Sequence, residues 1–210
     1  MTKTITRLFD NYADAERAIG ELERIGVPHR DISLIANNAD GAHDHRGEVR
    51  SADGRTATDH AAADAGKGAA TGGVIGGAGG LLAGLGMLAI PGLGPVVAAG
   101  WLASMAVGAV AGAAAGGATG GLVGALKHSG ESYKDAHVYA EGVRRGGALV
   151  SAKVDDRLVA QTETALEGFN AVTAARRGEA YRQQGWQGFD DSATAYTGDQ
   201  VIRERTLYSA

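Results

Sequence analysis

The chain has 210 residues, 34 of them Gly and 3 Pro, with 2 Trp and no Cys. That length fits one domain or two small ones, and the lack of Cys excludes disulfides, thiolate metal sites and a cysteine nucleophile. A formal net charge of −4 and a pI near 5.8 argue against general nucleic-acid affinity, which needs a basic surface to displace counterions.

From the N-terminus, residues 3–9 alternate as a strand does, and no apolar h-region precedes them, so the flanking zones are expected in the cytoplasm. Asp10 or Asn11 then caps a helix on which Ala15, Ala18, Ile19, Leu22 and Ile25 form one stripe. Gly26 and Val27-Pro28 stop it, and Ile32–Ala36 reads as a second strand. Residues 37–65 are polar and without period, as a linker is.

The next zone differs in kind. Between residues 61 and 127 the only formal charges are Asp64, Lys67 and Lys127, so Gly68–Leu126 is a run of 59 uncharged residues. Runs of 18 or more uncharged, largely apolar residues point to a membrane span. Gly68, Gly72, Gly76, Gly80 and Gly84 recur every fourth residue, and so do Gly100, Ser104, Gly108, Gly112, Gly116, Gly120 and Gly124. Residues four apart share a helix face, so each series would be a groove that lets backbones approach closely. The reading is a helical hairpin at 66–127, with helices at about 68–90 and 96–126 and its turn at Pro91, Gly92, Gly94 and Pro95. Lys67, Lys127 and His128 stand where such a hairpin leaves a bilayer, in accord with cytoplasmic termini. From Ala111 to Gly121 no side chain exceeds Thr, so this stretch offers lipid little surface and wants protein neighbours. Homo-oligomerisation follows, with lipid as a further partner.

After the run, Glu131–Arg145 has Ala136, Tyr139, Ala140 and Val143 at helical spacing and ends at Gly146-Gly147. Ala148–Val154 is a strand, and Asp155 or Asp156 caps a helix with Leu158, Thr162, Ala165, Leu166 and Phe169. Ala171–Ala175 suits a short closing strand. The halves 1–36 and 128–177 are each too small to fold alone. They are expected to pair into an α+β, ferredoxin-like split β-α-β/β-α-β domain of four strands, interrupted by the glycine-zipper hairpin. Residues 178–210 form a polar, aromatic tail, in which Gln200–Tyr208 suits a short helix.

No catalytic, cofactor-binding or metal-ligating set stands out. The phosphate-loop pattern fails, since no Gly stands at the first position that it requires ahead of Gly66-Lys67. His43, His45 and His60 lie with Asp40, Asp44 and Asp59 in the linker, where nothing fixes ligand geometry. Arg144-Arg145 reads as a cationic helix C-terminus, with lipid headgroups as the alternative. Tyr181, Trp186, Phe189 and Tyr196 suit docking, either onto a neighbouring subunit or onto the chain's own domain.

The segments 7–19 (RLFDNYADAERAI), 90–95 (IPGLGP) and 136–147 (AHVYAEGVRRGG) resemble the general stress protein 17M-like family of bacterial proteins. Together they cover about residues 3–175, and the resemblance implies stress induction and membrane association without a transferable activity. The expected function is a non-enzymatic stress-response protein that self-associates at or in the cytoplasmic membrane, without cofactor. The rivals are a soluble self-assembling particle or filament and a ligand-sensing α+β module.

Overall fold

The computed structural model describes residues 2–43, 86–106 and 121–208. They form a mixed helix-and-sheet body around a five-stranded antiparallel sheet in the order β1-β5-β2-β4-β3. The strands are β1 (Thr2–Phe9), β2 (Ile32–Asn37), β3 (Gly86–Ile90), β4 (Gly94–Gly100) and β5 (Ala148–Asp155). The main helices are α1 (Tyr12–Arg24), α2 (Gly121–His128), α3 (Tyr133–Arg144), α4 (Val159–Glu167), α5 (Ala174–Gln183) and α6 (Gly198–Tyr208). Residues 101–106 are helical as well.

β5 lies between β1 and β2 and is antiparallel to both, so β1 and β2 run the same way. They are joined through α1. Val172 makes an isolated antiparallel bridge to Leu8, giving β1 a partner on its other side.

Alternation along the strands divides the core between two faces. Ile32, Leu34 and Ala36 of β2, Val97 and Ala99 of β4, and Val150, Ala152 and Val154 of β5 pack with α1 and Leu166 of α4. Leu8, Ile35, Val96, Ala98 and Leu149 face the other way, toward α2, α3 and Leu102. Complete burial of a Leu or Ile contributes about 1.5–3 kcal/mol, and Ile19, Leu22, Leu34, Ile35, Leu122 and Leu126 are all fully buried.

Local chemistry explains the helix starts. Asn11 is the N-cap of α1, its Oδ1 accepting from Asp14 N at 2.8 Å. Ser132 caps α3 and Thr173 caps α5 in the same way. Gly26, at φ +98°, follows the end of α1.

The central run differs from the sequence expectation. Residues 86–90 and 96–100, expected in helices 68–90 and 96–126, are strands, and the turn at 91–93 joins β3 to β4 rather than helix to helix. Three features favour the strands. Val96 and Val97 are β-branched, Gly92 and Gly94 take the positive φ that a tight reversal needs, and β2 offers a strand edge to pair with. Pro91 lies in the turn, and Pro95 lies within β4, opposite Ala89. The sheet therefore has five strands where four were expected: the insertion adds two, and the expected closing strand Ala171–Ala175 is reduced to the isolated bridge at Val172. Helical residues 101–106 fall within the expected second helix, and α2 overlaps its end and runs two residues past it. Residues 68–85 and 107–120 lie outside the described residues, and with them Gly68, Gly72, Gly76, Gly80, Gly84, Gly108, Gly112, Gly116 and Gly120. Among the described residues no helix is long and apolar enough to cross a membrane.

Gly100 then needs to be Gly for a reason other than a helix groove. Its φ is +88°, and a Cβ there would press on the Ile32 carbonyl oxygen and lie 2.8 Å from Ser33 Cα. Gly100→Ala is expected to cost about 1–3 kcal/mol in urea unfolding. Gly20→Ala, in α1 with nothing within 4 Å of the added carbon, is expected to be neutral or to stabilise by up to about 1 kcal/mol. Equal effects of the two would remove the close β2–β4 approach.

Candidate functional site

The turn between β3 and β4 is not free at its tip. A Cβ on Gly92 would lie 2.7 Å from Asp191 Cα and 2.9 Å from Phe189 Cζ, and one on Gly94 would lie 2.8 Å from Ala195 Cβ. The C-terminal segment 184–208 thus crosses the turn as a strap, at a distance only glycines allow. Tyr181 and Val201 are fully buried, and Trp186, Phe189 and Tyr208 pack against the same core. These aromatics pack on the chain's own domain, one of the two docking partners open in the sequence.

Arginines fasten the strap. Arg145 Nε donates to Glu141 Oε1 at 2.7 Å, and its Nη1 donates to Gln184 at 2.9 Å and to Glu204 at 3.2 Å. Arg144 lies 4.8 Å from the Tyr196 ring centre and pairs with Glu141 at 3.7 Å. Arg205 donates to Gly146 O at 2.7 Å and Asn37 O at 3.2 Å, and pairs with Asp40. The Arg144-Arg145 pair therefore serves the strap, with partners on α3 itself and beyond. Glu141 is 1% exposed, and such a carboxylate is tolerable because two guanidiniums face it.

Other residues singled out in the sequence lie elsewhere. Asn37 belongs to β2, and Asn38 and His43 are buried, so the first residues of the expected linker belong to the folded body. The described part of the expected tail is likewise integral to it, with α5 running on past residue 178 and α6 docked on Gly146. Ser104 donates to Gly100 O at 3.4 Å, and Gly124 lies in α2. The described zipper positions Gly100, Ser104 and Gly124 do not share one continuous helix. Among the described residues no cluster of His, Asp and Glu could hold a metal ion.

A polar cleft of about 850 Å3 lies beside the end of β1, lined by Asp10, Asp14, Asn170, Arg176, Arg177 and their neighbours. Arg177 Nη2 donates to both Asp10 oxygens, at 2.5 and 2.6 Å. Burial pushes the Asp10 carboxyl above the usual range, and Arg177 offsets only part of that. Asp14 is also subject to burial, but hydrogen bonds from Asn11, Asn170 and Arg17 hold its carboxyl below the usual range. Asn170 holds φ +61°, the one described non-glycine residue with positive φ. Sequence reading missed this cleft, because its residues come from α1, the 167–173 turn, α5 and α6.

His137 links α3 to the strap. Its Nδ1 accepts from Phe189 N at 3.1 Å, and its ring lies tilted against that of Tyr133 at 4.3 Å between centroids. Burial lowers its pKa below 6.5, with Asp191 acting in the opposite sense. The unfolded chain therefore takes up this proton at a higher pH than the fold does. The stabilisation is complete above the unfolded value near 6.5 and is lost as pH falls toward the lowered folded value. Wild type is expected to lose more urea stability between pH 7.5 and 5.5 than His137→Phe; parallel pH profiles would show that the imidazole is not a buried acceptor.

Comparison of the chain with protein-family models, with curated proteins and with solved structures gives no match.

Proposed function

We propose that the chain is a non-enzymatic stress-response protein that self-associates through its glycine-rich central run at the cytoplasmic membrane, with copies of itself and lipid as its partners and no cofactor. The observation that carries self-association is β3. Among the described residues it is one of the two outer strands, its sequence Gly-Met-Leu-Ala-Ile contains neither charge nor Pro, and Met87 is 52% exposed. Sheet edges are usually protected by charge, Pro or a cover, and an unprotected apolar edge is a template for pairing with another chain. Two copies of β3 pairing antiparallel about a two-fold axis would continue the sheet isologously.

The split β-α-β order, with β5 between β1 and β2 and Val172 beside β1, supports a ferredoxin-like body interrupted after β2. The resemblance to the general stress protein 17M-like family supports the stress role. The remaining glycine register, Gly68–Gly84 and Ser104–Gly124, supports close packing between copies, with Gly100, which lies in β4, withdrawn from it. A soluble assembly is the second reading. It is favoured by the burial of Leu93, Val96 and Val97 inside the body, where they cannot face lipid.

Met87→Lys places a charge on the edge and is expected to lower the assembled mass by mass photometry while the circular dichroism stays native. Gly112→Leu is expected to do the same, and Val110→Leu to be mild. Unchanged mass in both Met87→Lys and Gly112→Leu would overturn self-association through this run. A carbonate wash separates the two settings: protein that stays in the pellet supports the membrane, whereas a discrete particle in the supernatant supports the soluble assembly.

A further inference from the structure

The cleft beside β1 carries both signs of charge on separate elements. Asp14 of α1 and Glu167 at the end of α4 supply carboxylates, and the first turn of α5 supplies Arg176 and Arg177. Internal pairing uses up some of these groups. Asp10 takes Arg177 Nη2, and Asp14 is held by Asn11, Asn170 and Arg17. One group of each sign is left over: among the described residues, the exposed Arg176 guanidinium and the exposed Glu167 carboxylate have no ion pair.

Arg177 adds a second, independent sign of a ligand. It is 4% exposed, and its Nη1 has no acceptor among the described residues. A buried charged donor without an acceptor is costly and calls for a partner. Both arginines also stand in the first turn of a helix, where the dipole disfavours cations, and no acidic residue of that turn compensates. The guanidinium of Arg177 lies 4.1 Å from the ring centre of Tyr208, which lines the same cleft with Leu207. Nη1 itself is enclosed, so a ligand that takes it must displace a covering side chain.

A simple anion would meet Asp10, Asp14 and Glu167 in this cleft, and a simple cation would meet Arg176 and Arg177. We propose that the cleft binds a small zwitterion, a free amino acid or a compound with the same carboxylate and ammonium. Its carboxylate accepts from Arg176 and from Nη1 of Arg177, and its ammonium donates to Glu167. This site is separate from the β3 edge, so binding and self-association fail or stand independently.

The test is calorimetric titration of the full chain with each of the twenty amino acids, with acetate and methylammonium as the two half-ligands. At least one amino acid is expected to bind, and neither half-ligand to bind within tenfold of it. Arg176→Gln and Glu167→Gln are each expected to weaken that binding tenfold or more, while the melting temperature without ligand stays that of wild type, since both side chains are exposed. Absence of binding by every amino acid, binding of acetate or methylammonium alone as tightly as the zwitterion, or wild-type affinity in both variants would each overturn the proposal.

Discussion

The pairing of β4 with β2, Val96–Gly100 against Ser33–Asn37, is the constraint on which the rest of this molecule depends. Without it, β2 would be the outer strand, and a row of backbone donors and acceptors beside Leu34 and Ile35 would lack partners. With it, a segment composed almost wholly of small apolar residues becomes part of a sheet with a core on each face. The same pairing fixes where 101–106 begins, with Trp101 Nε1 donating to Asp31 O at 3.0 Å and Lys153 lying 4.1 Å from the Trp101 ring centre. It also presents the 91–93 turn at the opposite end, where the C-terminal strap closes over it.

Much of the flanking architecture is legible in the residues themselves. The alternation of 3–9, the stripe from Ala15 to Leu22 and the stop at Gly26 each carry a local cause, and they reappear as β1, α1 and the turn after it. Residues 86–100 of the central run are misread because the strongest signal there is ambiguous. Glycine every fourth residue suits a helix groove, yet Gly86, Gly92, Gly94 and Gly100 belong to a hairpin, and Gly100 alone of these falls in the register. Five to seven apolar residues cannot be assigned to helix or strand by periodicity. Val96-Val97 after Pro95 was the local hint of a strand, and the decisive term was the edge of β2, some sixty residues earlier in the chain.

The strap and the cleft were illegible for a related reason. Arg205 reaches Asp40, Arg177 reaches Asp10, and Tyr139 OH donates to Thr6 O at 2.8 Å while accepting from Ala174 N. The first three of these bonds join residues more than 130 positions apart, and composition gives no sign of them. They make residues 178–208, read in the sequence as a tail, a covering layer of the core. Small residues make the close approach possible at Gly92, Gly94, Gly146 and Gly198, so glycine outside the four-residue series serves packing within one chain.

Isotope-edited NMR of the full-length protein tests the β2–β4 pairing most directly. Extended-strand carbon shifts at Val96–Ala99, together with cross-strand proton contacts from these residues to Ser33–Ala36, are the predicted result. Helical shifts through Val96–Ala99, continuous with those of 101–106 and lacking any contact to β2, would contradict the sheet and restore a helix beginning at residue 96.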